Sequence, residues 1–139
     1  MVGGKKTASM TTFSVGSLPY RVRGRILHCG EDIVAIVTGG TRPHIGAVAL
    51  AEPRASLTGN GHRSASASVL CRLGHKDDLW ARDAALSLAA AAGVPVVVTV
   101  GIHIDDADSE TIARLRESFE VLLEQMKQSL VERKTSDNP

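Results

Sequence analysis

The alternation of hydrophobic and polar positions divides the first half of the chain into four strands. Residues 20–28 alternate between arginines and apolar side chains, which is typical of a half-buried strand. Residues 33–38 are apolar on both faces and mostly β-branched, so we expect a central strand that is covered on both sides and pairs with the first as a hairpin. Residues 46–51 and 65–73 predict the third and fourth strands. The apolar residues on the predicted core face of the fourth are Ala65, Ala67, Val69, Cys71 and Leu73.

Two helices and a fifth strand follow. Residues 77–93 are alanine-rich, with acidic residues at the start and a glycine at the end, which predicts a heavily buried helix. Residues 94–105 alternate valine or isoleucine with polar residues and predict the fifth strand. Apolar positions recur at three-and-four spacing over residues 109–133, so we expect a long helix capped by Asp108 or Ser109. The order β-β-β-β-α-β-α predicts an α+β fold, with a mostly antiparallel sheet packed by two helices.

Length and composition favour one folded domain. The chain has 139 residues, of which 43% are hydrophobic and 22% charged, close to ordinary globular proteins. We assign the domain to residues 12–134 and expect flexible tails at residues 1–11 and 135–139, where no apolar burial could hold the chain. No apolar stretch approaches the ~20 residues that a membrane span needs, which predicts a protein that is neither secreted nor membrane-spanning.

Charge and cysteine usage narrow the partners and the compartment. The 16 Lys and Arg residues against 15 Asp and Glu residues give a formal net charge of +1, so we do not expect a nucleic-acid partner. Cys29 and Cys71 match no metal-finger spacing and lie in strand-like runs. This usage predicts buried, reduced thiols in a cytoplasmic protein.

The common nucleotide-binding, esterase and zincin motifs are absent from the sequence, which leaves polar residues at strand ends as candidates. The first candidate site is the loop between the second and third strands. Gly39, Gly40, Arg42 and His44 occupy this loop. Adjacent glycines let backbone N–H groups approach an anion, and an arginine can grip it with two hydrogen bonds, which points to a phosphate site. The alternative is a plain hairpin loop with a solvated arginine.

Two further polar segments flank the first helix and the fifth strand. His75 and Lys76 directly precede a helix N-terminus, where the helix dipole attracts anions, and the alternative is an ordinary capped strand-to-helix turn. His103 and Asp105 emerge on the same face of the fifth strand, where each needs a partner or water. The alternative here is a histidine that its neighbouring carboxylate orients at the sheet surface.

Three other groups of residues allow more than one interpretation. Four metal-ligand side chains come from three segments without diagnostic spacing, namely His44, His75, His103 and Asp105. A row of hydroxyls on the fourth strand could serve the polar edge of a ligand or simply face solvent; it consists of Ser64, Ser66 and Ser68. We interpret the arginines of the first strand as a solvated face, formed by Arg21, Arg23 and Arg25.

A family resemblance is carried by three runs, TGGTRPHIGAVALAEPR, SASASVLCRLGHKDD and VVVTVGIHIDDA. Together they resemble the prenylated-flavin chaperones, the small D subunit that accompanies gallate-type hydroxyarylic acid decarboxylases, over residues 20–125. The resemblance implies a non-enzymatic protein that binds reduced prenylated FMN and delivers it to an apo-decarboxylase of the UbiD-like class. It also implies a fold similar to the proteasome-assembly chaperones, which are small dimeric α+β domains.

The leading hypothesis is therefore a homodimeric, non-catalytic carrier of reduced prenylated FMN, with a decarboxylase catalytic subunit as its partner. We expect a dimer because the last helix and one face of the sheet offer more apolar surface than a small domain can hide. The expected cofactor contacts are Gly39, Gly40, Arg42, His44, Ser64, Ser66, Ser68, His75, Lys76 and His103. Two alternatives stay open. One is a protein-binding assembly factor that docks through its last helix, and the other is a small metal-dependent enzyme that uses His44, His75, His103 and Asp105.

Overall fold

The computed structural model describes residues 10–56, 62–72 and 77–136, which form six strands and two helices. In chain order the elements are β1 (Thr11–Val15), β2 (Val22–Cys29), β3 (Asp32–Gly40), β4 (Ala47–Ala55), β5 (Arg63–Cys71), α1 (Asp78–Ala92), β6 (Val96–His103) and α2 (Ser109–Ser136). The predicted α+β class is confirmed, as are the predicted strands and helices, and β1 is an additional strand. Neither helix of the described residues is long and apolar enough to cross a membrane.

The strands form one mixed sheet in the order β1-β2-β3-β6-β4-β5. Neighbouring strands are antiparallel except for β3 and β6, which run parallel. Because β6 enters between β3 and β4, the β3–β4 loop of residues 41–46 has to pass the carboxyl end of β6. Thr41 and His103 meet there although they are 62 positions apart, and the Thr41 N–H donates to the His103 carbonyl at 2.8 Å. This crossing creates the site described below.

Strand β1 is the element that the sequence pattern did not predict. It is short and mostly polar, and it pairs with β2 at the edge of the sheet. Only Phe13 and Val15 pack toward the core, and two apolar positions are too few to establish a period of two. The predicted domain limits fall inside elements, because β1 begins at Thr11 and α2 ends at Ser136. The flexibility of the tails stays a prediction.

Both helices pack on one face of the sheet. Helix α1 covers β4, β5 and β6, and α2 covers β1 and β2. The buried side of α1 is almost all alanine, which lets the helix approach the sheet closely: Ala81, Ala84, Ala85, Leu88, Ala89 and Ala92. The prediction that residues 33–38 are covered on both sides is wrong, since Val34 and Ile36 are only half-buried on the opposite face. An apolar strand sequence does not show whether the second face of the strand packs against an element of the same chain.

We call this opposite side of the sheet the open face. No helix in the described part of the chain covers it. Its centre is apolar, and Leu70 is the most exposed of its large apolar side chains, at 78%. Following the strand register, the side chains at its centre are Leu27, Val34, Ile36, Val48, Leu50, Leu70, Val97 and Thr99.

The cysteines occupy strand ends rather than the core. Cys29 closes β2 beside the β2–β3 turn, and Cys71 closes the edge strand β5. Both are exposed, so the prediction of buried thiols is wrong. Cys71 has the apolar parity of its strand, and the other described members of that parity, Ala65, Ala67 and Val69, do pack against the core. The helices do not reach the last position of the strand, where parity alone cannot provide burial.

Helix α2 begins with one of the predicted caps, since Asp108 Oδ1 accepts a hydrogen bond from the Thr111 N–H at 2.8 Å. Its apolar stripe packs against the sheet and α1, and Leu122 is only 1% exposed. A charge at Leu122 would therefore act on the monomer core. Because the apolar stripe of α2 is buried within the monomer, the open face is the apolar surface that remains for docking of a second copy.

Candidate functional site

A cavity of about 740 Å³ opens where the carboxyl end of β6 meets the β3–β4 loop and the start of both helices. Small-molecule sites usually have volumes of about 300–1,000 Å³. We call this cavity the rim pocket, and its wall has a basic side and an apolar side. Its lining residues are Arg42, His44, Arg72, Asp77, Trp80, Ile102, His103, Ile104, Ala107, Ile112 and Leu115.

The basic side of the rim pocket is organised around a carboxylate. Asp105 Oδ1 accepts hydrogen bonds from Arg42 Nη2 at 3.0 Å and from His103 Nε2 at 2.8 Å. The hydrogen bond from His103 and the positive charge of Arg42 hold the pKa of Asp105 below its usual value of 3.8. The side chains of Arg42 and Asp105 are 65% and 71% exposed, so a ligand can reach both.

A second histidine–carboxylate pair lies deeper. Asp77 stands at the start of α1, but its carboxylate turns away from the helix and accepts a hydrogen bond from the Ile102 N–H at 3.4 Å. His44 Nε2 lies 3.6 Å from Asp77 Oδ2, and His44 Nδ1 lies 3.0 Å from the Arg42 carbonyl oxygen. Because a carbonyl oxygen only accepts, Nδ1 carries a hydrogen and Nε2 faces the carboxylate. These contacts tie α1, β6 and the β3–β4 loop to one another.

Two glycines allow the loop and α1 to lie this close to β6. A Cβ at Gly101 would overlap the carbonyl of His44, and a Cβ at Gly46 would overlap the carboxylate of Asp77. A larger residue at either position would push the loop away and open the pocket. These two glycines are not among the residues that the sequence predicted for the site. A glycine inside a strand pattern, as in GAVALA and GIHI, is the feature that marks such an approach.

The apolar side of the rim pocket offers a surface for a planar ring. Trp80 on α1 lines the cavity together with Ile112 and Leu115 on α2. Trp80 is held from behind by Phe119, with 5.2 Å between ring centroids. Trp80 is not among the predicted contacts, although it is the single tryptophan in a chain with 3% aromatic residues. This wall and the basic side together suit a ligand with a flat body and an anionic end.

The structure brings three of the predicted contacts together in the rim pocket, namely Arg42, His44 and His103. The rings of His44 and His103 lie 6.2 Å apart and nearly perpendicular, at 84°. A further basic residue, Arg72, lines the same cavity, and its Nη1 donates to the Ile45 carbonyl at 2.9 Å. It was missed because an arginine after a strand has no distinguishing pattern in the sequence.

The two glycines of the predicted phosphate loop lie in a different place. Gly39 and Gly40 line a separate recess of about 190 Å³ together with Arg21 and Arg23. This recess shares the β3–β4 loop with the rim pocket, but it contains neither Arg42 nor His44. The predicted loop site is thus divided between two cavities, and the larger cavity has the histidines.

The predicted serine row does not line the rim pocket. The serine row follows β5, where the Ser66 hydroxyl accepts a hydrogen bond from Arg54 Nε at 2.8 Å; it comprises Ser64, Ser66 and Ser68. His75 and Lys76 lie outside the described residues, immediately before Asp77. Within the described residues, no three histidine, cysteine, aspartate or glutamate side chains are grouped so that they could hold a metal ion.

The fold is that of a small α+β protein, and its rim pocket places basic side chains beside an apolar wall. A family model described as the prenylated flavin chaperone LpdD-like domain matches residues 16–131. The chain therefore belongs to this family of chaperones, as the sequence resemblance implied. The comparison with curated proteins gave no match.

A solved structure also resembles the chain. It is described as a novel chaperone complex for yeast 20S proteasome assembly, and one of its chains matches with a TM-score of 0.49 and 16% identity. The match covers 88% of this chain and 98% of that chain. At this level the similarity carries no argument about function.

Proposed function

We propose that the protein binds reduced prenylated FMN in the rim pocket and delivers it to an apo-decarboxylase of the UbiD-like class that acts on hydroxyarylic acids. The observation that carries the proposal is the pairing of a basic rim with an apolar wall in one cavity, in a chain of the prenylated flavin chaperone family. The protein acts as a non-catalytic carrier, in a reducing compartment such as the cytoplasm.

The residues of the rim pocket fit the parts of this ligand. Arg42 and His103 present N–H groups at the open rim, where they can bind a phosphate through charge-assisted hydrogen bonds. Trp80, Ile112 and Leu115 supply the apolar wall for the ring system. The cavity of about 740 Å³ is large enough for a flavin-sized body.

The exposure of the rim suits a protein that must release its ligand. Arg42 is 65% exposed, so its hydrogen bonds compete with water and salt. Hydrogen bonds from an exposed arginine bind a phosphate without enclosing it. A decarboxylase site that encloses the same phosphate would hold it more tightly and draw the cofactor across.

The test of this proposal is an anaerobic titration followed by a transfer assay. We expect reduced prenylated FMN and reduced FMN to bind, and reduced riboflavin to bind more weakly because it lacks the phosphate. Loaded protein mixed with apo-decarboxylase should restore decarboxylation of a hydroxyarylic acid, and ligand-free protein should not. Failure to bind any of the three flavins would refute the carrier role. Metal-dependent turnover by the protein alone would instead support the enzyme alternative.

We also propose that the carrier is a homodimer that forms through the open face. The apolar centre of this face lies between two charged ends. The exposed arginines Arg23 and Arg25 mark one end. The other end carries the exposed acids Asp32 and Glu52, beside the half-buried Arg54, whose Nε donates a hydrogen bond to the Ser66 hydroxyl. A second copy, rotated about a two-fold axis perpendicular to the strands, would set the arginines of each copy over the acids of the other. This charge pattern supports a second copy as the occupant.

Sedimentation analysis of two leucine variants tests the dimer. Leu70→Asp places a charge on the open face, and it should convert the dimer to a monomer without unfolding it because Leu70 is 78% exposed. Leu79→Asp is the matched control on α1, where the side chain is 64% exposed. A monomeric wild type at micromolar concentration, or an equal effect of both substitutions, would contradict the proposed interface.

A further inference from the structure

The carboxylate of Asp105 holds the two side chains that would bind the ligand's phosphate. One oxygen, Oδ1, accepts hydrogen bonds from both Arg42 Nη2 and His103 Nε2, at 3.0 Å and 2.8 Å. Arg42 and His103 line the rim pocket, whereas Asp105 is not one of its lining residues. The carboxylate thus occupies donor atoms on both side chains that a ligand in the pocket would need.

The chain after β6 is built to bring this carboxylate back to the β3–β4 loop. Strand β6 ends at His103, and the chain turns before α2 through Asp106, whose φ is 54°. Asp105 lies between these two residues and projects toward Arg42, which is 63 positions earlier. The contact joins separate segments, which is why the sequence could place Asp105 beside His103 but could not place it beside Arg42.

We propose that Asp105 is an internal competitor for the ligand's phosphate, which must displace this carboxylate from Arg42 and His103 in order to bind. The inference rests on the proposed function, in that it takes the rim as the phosphate end of the pocket. Asp105 then sets the selectivity between phosphorylated and unphosphorylated flavins, and it lowers the affinity for the phosphorylated ones.

Exposure makes this exchange feasible. The side chains of Arg42 and Asp105 are 65% and 71% exposed, and exposed ion pairs are weak because water and salt screen them. A phosphate can therefore replace the carboxylate without leaving a buried charge unpaired. When the phosphate departs, Asp105 restores the hydrogen bonds of both donors, which favours release of the ligand to a partner.

The matched pair Asp105→Asn and Asp106→Asn tests the inference, since each removes one negative charge but only Asp105 contacts Arg42. We expect Asp105→Asn to bind reduced FMN about two- to five-fold more tightly than wild type, with slower dissociation. Binding of reduced riboflavin should not change, because it has no phosphate to compete. Asp106→Asn should bind both flavins as wild type does.

Three results would overturn the inference. They are unchanged FMN affinity in Asp105→Asn, weaker FMN binding in Asp105→Asn, and an equal gain in Asp106→Asn. Weaker binding would show that Asp105 positions Arg42 for the ligand, and an equal gain would show a general effect of net charge.

An NMR titration with inorganic pyrophosphate keeps the inference testable if the wild type binds no flavin at all. Tighter pyrophosphate binding in Asp105→Asn, seen at the Arg42 and His103 signals, would support the competitor role after the carrier proposal had failed. Unchanged pyrophosphate binding in Asp105→Asn would overturn the competitor role of Asp105.

Discussion

Two histidine–carboxylate pairs lie beside the rim pocket, and they differ mainly in burial. In the inner pair, the side chains of His44 and Asp77 are 17% and 10% exposed. In the outer pair, those of His103 and Asp105 are 40% and 71% exposed. A buried carboxylate that loses its partners is costly, whereas an exposed one exchanges them for water or a ligand. The inner pair therefore holds the shape of the pocket, and the outer pair is the one that a ligand can rearrange.

The largest expected effect comes from breaking the inner pair. Asp77→Ala should lower the free energy of unfolding by about 1–3 kcal/mol, because it leaves the Ile102 N–H buried without this acceptor. Urea denaturation measures the loss. The matched control is Asp78→Ala in the first turn of α1, where the side chain is only half-buried and the cost should be about 0.3–1 kcal/mol. Equal losses in the two variants would mean that Asp77 does not hold the pocket together.

Removal of the arginine from the outer cluster should affect the ligand rather than the fold. Arg42→Ala should weaken binding of reduced FMN by about ten-fold or more, since a charge-assisted hydrogen bond contributes about 1.5–3 kcal/mol. The melting temperature should stay within error of wild type because the side chain is exposed. Arg82→Ala, at an exposed position of α1, serves as the control. Unchanged FMN affinity in Arg42→Ala would place the phosphate elsewhere in the pocket, with Arg72 as the next candidate.

Substitution of each histidine by alanine compares the two pairs directly. His103→Ala should weaken FMN binding about three- to ten-fold and reduce the activation of a partner decarboxylase in proportion, with little change in stability. His44→Ala should instead destabilise the protein by about 1 kcal/mol, because its ring lies among the loop, α1 and β6. Titration calorimetry and thermal melts separate the two.

A different result for His103→Ala would identify one of the alternatives. Loss of an intrinsic turnover by ~10² or more would indicate an enzyme in which His103 acts as an acid, base or ligand. A stability change with unchanged flavin affinity would mean that Asp105 merely orients the histidine at the surface.

The smallest expected effect is the pH dependence of the outer pair. Because the pKa of Asp105 is lowered in the folded protein, the pair stabilises the fold above the unfolded value near 3.8. This contribution is lost as pH falls through the lower, folded pKa. NMR titration of the carboxyl carbon should give a midpoint below 3.8, and Arg42→Ala should raise that midpoint. A wild-type midpoint at or above 3.8 would show that the pair is open in solution.

Local pattern was sufficient for most of the fold. The period-two runs of β2 and β6, the alanine-rich α1 and the cap of α2 are each encoded within one continuous segment of the chain, so the sequence predicted them. The failures have two physical causes. Strand β1 has too little apolar periodicity, and Cys29 and Cys71 are exposed at the last positions of their strands. Burial at a strand end depends on which element lies above it, and that is a property of packing.

In the candidate site, too, the sequence predicted some residues and packing decided the others. Residue type and position at strand ends identified Arg42, His44 and His103 as candidate ligand contacts. Sequence could not select Trp80 and Arg72, because an aromatic residue on a helix and an arginine after a strand have ordinary structural explanations. It also grouped Gly39 with Arg42, whereas the two residues line different cavities.

By itself, the sequence determined the α+β class, the order of most elements and, through three runs of residues, the chaperone family. Tertiary structure alone decided which side chains share the pocket. The reason is that β6 enters the sheet between β3 and β4, so a loop and a strand end 62 positions apart come into contact. The absence of a side chain at Gly101 leaves room for the His44 carbonyl, and its absence at Gly46 leaves room for the Asp77 carboxylate. Strand order and close approach depend on the whole sheet, and no local pattern encodes them.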